Sequence, residues 1–324
     1  MHLGNGAITP ECGLFALGVA AASTGIAIFA ARSKPLDRGT VFTAAALSAA
    51  VFAAQMFNVQ IGAFSSVHLI GGVLLAWTLG PRLGLAIMTA VLALEAALRG
   101  DGGFLSLGAN VINMGLVPAL FVVAARRLNR GDSALRTGLA LAATCFLATL
   151  AGAGLVLVEI TIGRSASQIS GWSGFAGQML ESHLIFAAIE GIMTVAIVGL
   201  LGGLGRPAGT PLQLPRAWSA VIAATALAIA VLSAPQFGLA SSAPDGYETA
   251  VAAAKSAGSP LGHLDSTEQA GRLNVIVEGW QHDLVSRLPG SAAVQAIFCT
   301  LAAGAIGGAL AVCCSQRRKQ SSAH

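Results

Sequence analysis

Long apolar runs, separated by short polar or basic stretches, recur along most of the chain. Many are about 20 residues long, which is the length at which a helix crosses the hydrocarbon core of a bilayer. Predicted spans are 12–31, 40–59, 68–79, 83–98, 109–125, 137–160, 180–201, 218–237 and 292–314. The pattern therefore predicts an all-α fold, a polytopic transmembrane helical bundle of about nine spans, with one external polar segment.

The polar segment, residues 238–291, lies between the last two predicted spans, and charged residues such as Asp245 and Glu248 place it in water. The proline-containing stretch 206–217 is typical of a linker. We therefore expect a seven-span module at 1–205, a cytoplasmic linker at 206–217, and a two-span module at 218–324 that flanks an extracytoplasmic domain.

Composition supports the membrane assignment, since 55% of the 324 residues are hydrophobic and only 10% are charged. The net charge of +4 does not indicate nucleic-acid binding, because the basic residues stand in short loops beside apolar spans. If the N-terminus is outside, inner loops carry 13 of the 18 Lys and Arg residues. This asymmetry predicts a multi-pass protein of the plasma (inner) membrane with an extracytoplasmic N-terminus and a cytoplasmic C-terminus.

Candidate chemistry begins at Met1-His2. A free terminal amine, the next amide nitrogen and the imidazole of residue 2 can chelate one metal ion and leave one position of a square plane open. His68, predicted on the same outer face, could fill that position, and four planar nitrogen donors suit Ni(II) or Cu(II). The alternative is that a histidine after the initiator methionine is an accident of sequence.

Several polar residues lie within apolar runs, where they need partners. Asn110 and Asn113 are three residues apart, which places them on one helical face. They either hold loops around a site or form hydrogen bonds between helices. Of the glutamates, Glu95 can pair with Arg99 one turn away, and Glu159 is expected to reach the outer surface.

His183 follows Glu181 near the start of the seventh predicted span, close to the outer face. The pair is either a transient metal site or an interfacial hydrogen bond. Elsewhere the sequence has no Walker-type GxxxxGK[ST] segment, nucleophile elbow or HExxH helix.

Three stretches of the seven-span module carry a family resemblance: Met1-His2, the loop from Ser65 to Gly72, and the stretch from Gly102 to Gly115. Together they resemble the CbiM/NikM family, the substrate-binding membrane components of energy-coupling factor transporters for nickel and cobalt. The resemblance implies a metal held by the amine of Met1, the amide and imidazole of His2, and His68. Expected loop support comes from Ser65, Ser66, Asn110 and Asn113.

The C-terminal module resembles the small NikN-type accessory subunit of the nickel systems, because Pro244 to Glu248 is similar to its Pro-Asp-Gly-Leu-Glu motif. Two departures affect the surroundings of the metal. Asn5 stands where relatives often carry an acidic residue, and Val67 stands where a glycine commonly precedes the second histidine.

The resemblance implies a substrate-capture and translocation subunit, not an enzyme, whose transported substrate is Ni2+ or, alternatively, Co2+ for cobalamin supply. It further implies two kinds of partner, a transmembrane coupling component and a pair of cytoplasmic ATPases. A stand-alone secondary transporter or a membrane-embedded enzyme is the alternative from another class.

Overall fold

The computed structural model describes residues 2–32, 36–61, 65–128, 133–264, 272–288 and 290–315, and within them the chain is a helical bundle. The first six helices are α1 (Pro10–Ala31), α2 (Arg38–Gln55), α3 (Gly72–Leu79), α4 (Pro81–Leu94), α5 (Leu107–Val111) and α6 (Val117–Leu128). The next six are α7 (Ala134–Thr161), α8 (Trp172–Leu200), α9 (Arg216–Leu232), α10 (Gly246–Ser256), α11 (Arg272–Ser286) and α12 (Ala292–Ser315). The predicted helical fold is confirmed.

Six helical stretches in the described ranges are long and apolar enough to cross a membrane. They are Pro10–Ala31, Pro81–Arg99, Leu107–Leu128, Ala134–Thr161, Trp172–Leu200 and Ala292–Ser315. The predicted count of nine is not confirmed, because the other three segments form α2, the eight-residue α3 and the 17-residue α9. Helix α3 is short because the chain turns at Gly80, which has a φ of 89°, and Pro81 starts α4.

Small residues allow close helix crossings, as is common in membrane bundles. A Cβ on Gly108 of α5 would lie 2.1 Å from the backbone nitrogen of Leu17 in α1. A Cβ on Gly307 of α12 would lie 2.5 Å from Cβ of Ser48 in α2. Glycine at both positions lets the paired helices approach so closely that an added Cβ would overlap the neighbouring helix.

Two π-helical turns interrupt the bundle, and both carry polar residues in apolar runs. One, Glu95–Arg99, continues α4, and the other, Ile112–Leu116, joins α5 to α6. A π turn inserts an extra residue and rotates the side chains that follow, and such turns are frequent at functional sites. They therefore change which residues share a helical face.

A short antiparallel hairpin precedes α3 and was not predicted. Its strands β1 (Val59–Ile61) and β2 (Ser65–Val67) pair Gln60 with Ser66. Strand β2 ends directly before His68 and so sets the direction in which the chain reaches that residue.

The polar segment before α12 is docked against the bundle through α10, which packs on α8. Tyr247 is buried and meets Phe175 edge-on, with ring centroids 6.5 Å apart. The prediction that Asp245 lies in water is wrong, since only 8% of the residue is exposed. Asp245 caps α10 by accepting from the Glu248 amide at 2.9 Å, and Glu248 accepts from the Asp245 amide in return. These bonds satisfy polar groups that burial would otherwise leave unpaired.

Candidate metal site

The N-terminal segment lies in a cradle of backbone and side-chain hydrogen bonds. The Asn110 side chain accepts from the Leu3 amide at 2.9 Å and donates to the Leu3 carbonyl at 3.2 Å. The amide of Gly103 also donates to the Leu3 carbonyl at 2.9 Å, and the Ser106 hydroxyl donates to the Gly4 carbonyl at 2.6 Å. Leu3 is fully buried as well, and its hydrogen bonds therefore fix the backbone directly after His2.

The imidazole of His2 is buried between two carboxylates. Its Nε2 lies 3.1 Å from Oε2 of Glu95, and its Nδ1 lies 3.5 Å from Oδ1 of Asp101. Burial by itself would lower the pKa of His2, but Asp101 and Glu95 raise this pKa to about 9. When Nε2 donates its hydrogen to Glu95, deprotonation leaves a lone pair on Nδ1. A carboxylate that orients a histidine in this way is the usual partner of a metal-binding imidazole.

The ring of His68 stacks on that of His2, with centroids 5.3 Å apart and planes inclined by 22°. Nδ1 of His68 lies 3.2 Å from the carbonyl oxygen of Leu69. Because a carbonyl can only accept, Nδ1 carries the hydrogen and the lone pair is on Nε2. Burial and the adjacent positive charge of His2 lower the pKa of His68 to about 4. His68 is therefore uncharged and able to bind a metal at neutral pH.

Glu190 of α8 fixes the turn that follows His68. Its two carboxylate oxygens accept from the amides of Ile70 and Gly71, each at 2.9 Å, and the Gln55 side chain donates to the Ile70 carbonyl at 2.8 Å. Gly71 has a φ of 80°, and a Cβ there would lie 2.6 Å from a methyl carbon of Val51. This turn is thus held by two helices, α2 and α8.

The two serines predicted as loop support contact the stretch from Ala243 to Thr249. The Ser66 hydroxyl donates to the carbonyl of Ala243 at 2.6 Å, and the Ser66 amide donates to that of Pro244 at 2.8 Å. Thr249 of α10 donates to the Ser65 hydroxyl at 3.3 Å. Strand β2 is therefore the contact surface between the segment that carries His68 and the segment that carries Asp245.

The two asparagines point to different partners. Asn110 holds the N-terminal segment, whereas Asn113 lies beyond the start of the π turn and donates to Oε2 of Glu159 at 2.8 Å. Glu159 is buried, so the expectation that it reaches the outer surface is wrong. Glu95 also lies in a π turn, at its first residue. Its carboxylate forms a hydrogen bond with His2, whereas we expected it to pair with Arg99.

The predicted pair of Glu181 and His183 does not form a joint site. Glu181 lies on the exposed side of α8, whereas His183 is buried and its Nδ1 lies 2.8 Å from the Met179 carbonyl. Across the described ranges no group of three or more His, Cys, Asp or Glu side chains forms a ready metal cluster. Met1, the other predicted ligand, lies outside the described residues.

Asp101 was missed as a neighbour of His2. The available signal was its position in Gly100-Asp101-Gly102-Gly103, directly before the stretch from Gly102 to Gly115 that carries the family resemblance. Gly102 has a φ of 78°, and a Cβ on Gly103 would lie 2.3 Å from the Asn5 amide nitrogen. The glycines thus let this loop touch the N-terminal segment and bring Asp101 to the imidazole.

Residues 2–206 match the family model described as the cobalt uptake substrate-specific transmembrane region, CbiM. A protein of Haloquadratum walsbyi named as a metal transport protein is 32% identical over 198 residues, which cover 61% of this chain and 88% of that protein. A protein of Archaeoglobus fulgidus named as a fused nickel transport protein, NikMN, is 34% identical over 165 residues, 50% of this chain and 52% of that one. The match thus spans about half of the fused relative. The crystal structure of a truncated transition metal transporter is similar with a TM-score of 0.51 and 26% identity, over 62% of this chain and 98% of that chain.

Proposed function

Because the chain belongs to the CbiM family of substrate-specific transmembrane proteins for cobalt uptake, we propose that it captures a divalent transition-metal ion outside the cell and passes it inward as one subunit of an ATP-driven importer. The observation that carries this proposal is the stacking of His2 on His68, two imidazoles that are 66 positions apart in sequence and 5.3 Å apart between ring centroids. Each ring has one nitrogen held by a hydrogen bond, that of His2 to Glu95 and that of His68 to the Leu69 carbonyl.

The proposed donors are four nitrogens: the terminal amine of Met1, the amide and Nδ1 of His2, and Nε2 of His68. The contact of His2 Nε2 with Glu95 and that of His68 Nδ1 with the Leu69 carbonyl support this choice. They leave Nε2 of His68 for the ion, and Nδ1 of His2 once that ring gives up the proton shared with Asp101. Fixed partners of this kind orient the ring and strengthen its bond to the metal.

Binding of the ion displaces protons, as it must when the ligands are protonated in the free protein. With its pKa raised to about 9, the His2 imidazole is charged at neutral pH and gives up a proton to the medium. The amide nitrogen of His2 loses its hydrogen when it binds, and so does the terminal amine where it is protonated. His68 gives up none, because its pKa is about 4. The carboxylates of Asp101 and Glu95 stay beside the site and balance part of the charge of the incoming cation.

Nickel is the proposed cargo, because a square plane of nitrogen donors suits Ni(II). The similarity to a fused nickel transport protein also favours nickel. Cobalt is the second candidate, since the family model describes cobalt uptake.

ATP hydrolysis is assigned to partners, because the sequence contains no Walker-type phosphate-binding segment. The proposed partners are a transmembrane coupling component and a pair of cytoplasmic ATPases. The excess of Lys and Arg in alternate loops supports an outside N-terminus, which would open the site to the outer face.

The test is metal analysis of the purified full chain after equilibration with nickel, with cobalt as a competitor. We expect bound nickel in the parent and its loss in His2→Ala and in His68→Ala. His282→Ala, which removes an exposed imidazole on α11, is the matched control and should bind like the parent. Undiminished nickel in both site variants would refute the proposed ligands, and preference for cobalt would reassign the cargo.

A further inference from the structure

His183 of α8 has one ring nitrogen bound and one free. Its Nδ1 lies 2.8 Å from the Met179 carbonyl, so Nδ1 carries the hydrogen and Nε2 carries a lone pair. His183 is fully buried, and its Nε2 has no hydrogen-bond partner within the described part of the chain. A buried polar atom without a hydrogen-bond partner destabilises the fold, so the presence of this nitrogen in the interior needs an explanation.

The explanation lies in the small pocket that His183 borders next to the proposed site. The residues that line the pocket include His68, His183, Phe186 and Asp245. His68 thus belongs both to the proposed metal site and to this pocket. The described hydrogen bonds fix Nδ1 of each histidine on a carbonyl, which leaves each Nε2 as a donor of the kind that Ni(II), Co(II) and Zn(II) accept.

The C-terminal module covers the same pocket. A Cβ on Gly246 would lie 2.7 Å from Cε1 of His183, so only glycine allows α10 to start against this ring. The Ser182 hydroxyl donates to the Gly246 carbonyl at 3.4 Å. Asp245, whose carboxylate caps α10, completes the wall and adds negative charge beside the two imidazoles.

We propose that His183 is a second metal-binding position, at which Nε2 of His183 holds the cargo ion next to His68 while the ion passes to or from the main site. This inference rests on the proposed function. In the transfer, one nitrogen–metal bond forms at His183 as one at the main site breaks, and no proton moves, since Nε2 already has a lone pair.

The position is expected to bind weakly. It offers two imidazoles, and the described residues form no cluster of three or more ligating side chains there. Weak binding is what a passing point requires, because an ion must leave as readily as it arrives. Its effect should therefore be on the rate of loading and not on the final occupancy of the main site.

The test compares the rate of nickel loading into the purified full chain with the nickel bound at equilibrium. His183→Ala should load about tenfold more slowly, because a ligand is lost, yet reach the parent's nickel content at the main site. The matched control is Phe186→Ala, which widens the same pocket beside the His183 ring but removes no ligand, and it should load as fast as the parent. His183→Gln, which keeps a polar side chain, is the second variant if His183→Ala does not fold.

Loading of His183→Ala or His183→Gln at the parent's rate would overturn the inference and leave the main site standing. Equal slowing in Phe186→Ala would also overturn it, because the pocket's shape would then be the cause. A parent chain that binds neither nickel nor cobalt would instead refute the proposed function itself, and undiminished nickel in both His2→Ala and His68→Ala would refute its proposed ligands.

Discussion

The imidazoles of His2 and His68 are stacked with ring centroids 5.3 Å apart, although two helices and a hairpin lie between the two residues in sequence. Each ring is oriented by one hydrogen bond, from Nε2 of His2 to Glu95 and from Nδ1 of His68 to the Leu69 carbonyl. The two rings differ in charge at neutral pH, since one pKa is about 9 and the other about 4. Of the two imidazoles, only that of His2 therefore has to lose a proton before it can bind a metal ion.

The first prediction concerns the pH dependence of nickel affinity. Below a pKa of about 9, the neutral form of His2 falls about tenfold per pH unit, so the rise of affinity with pH should become less steep by this factor at a midpoint near pH 9. The proton displaced from the His2 amide keeps affinity rising above that pH. Glu95→Gln removes one of the charges that raise this pKa, so the midpoint should shift to lower pH. Calorimetric titrations from pH 6 to 10 measure both midpoints. A midpoint that does not move in the variant would contradict the role of Glu95.

The second prediction separates the two asparagines. Asn110→Ala leaves the amide of Leu3 without its side-chain partner, which should cost about 1–3 kcal/mol of stability. Because the N-terminal segment then loosens, nickel affinity should fall about 10- to 100-fold. Asn113→Ala is the matched control, since it removes a buried bond to Glu159 and leaves the N-terminal cradle intact.

Thermal unfolding and equilibrium nickel binding should be measured for both asparagine variants. We expect both to lower the melting temperature and only Asn110→Ala to weaken nickel binding. Equal loss of nickel affinity in the two variants would show that global destabilisation, and not the cradle, is responsible.

The third prediction concerns the turn after His68. Gly71→Ala places a Cβ 2.6 Å from Val51 at a φ of 80°, so it should destabilise the protein by about 1–3 kcal/mol and displace His68. Gly154→Ala in α7 is the control, because a Cβ there meets no atom within 4 Å. Thermal unfolding and nickel affinity should both fall in the first variant and neither in the second. Parent-like behaviour of Gly71→Ala would mean that the turn is not fixed as described.

Much of the fold was predictable from the sequence, because apolar runs of sufficient length become helices whatever their tertiary partners. The hydrogen-bond partners of Asn113 and Glu95 were not predictable, because the prediction assumed regular α-helical spacing and each residue lies in a π turn. Sequence periodicity does not reveal such turns, because they are stabilised by tertiary contacts such as those of Glu95 with His2 and Asn113 with Glu159.

The polar segment after α9 was misjudged for a different reason. Its composition indicates solvent exposure, but Asp245 is buried, and its carboxylate accepts a hydrogen bond from its own helix, α10. A carboxylate that is satisfied locally can be buried, and the apolar ring of Tyr247 beside it provides the contact with α8.

The fourth prediction concerns the attachment of this segment to strand β2. Ser66→Ala removes the bond from the hydroxyl to the Ala243 carbonyl, which should cost about 1 kcal/mol of docking stability. Hydrogen exchange by mass spectrometry should then show faster exchange of amides from Gly246 to Ser256. Ser23→Ala, which removes a bond within α1, is the control and should leave these amides unchanged. Unchanged exchange in Ser66→Ala would mean that this bond does not hold the module.

The account's central claim is that the terminal amine and His2 chelate the ion together with His68. The most direct test is the nickel content of the purified chain with one additional glycine before Met1, compared with the unextended chain. The extension leaves both imidazoles in place but moves the amine out of the chelate ring. The account predicts that the extended chain loses its bound nickel. Nickel content equal to that of the unextended chain would contradict it.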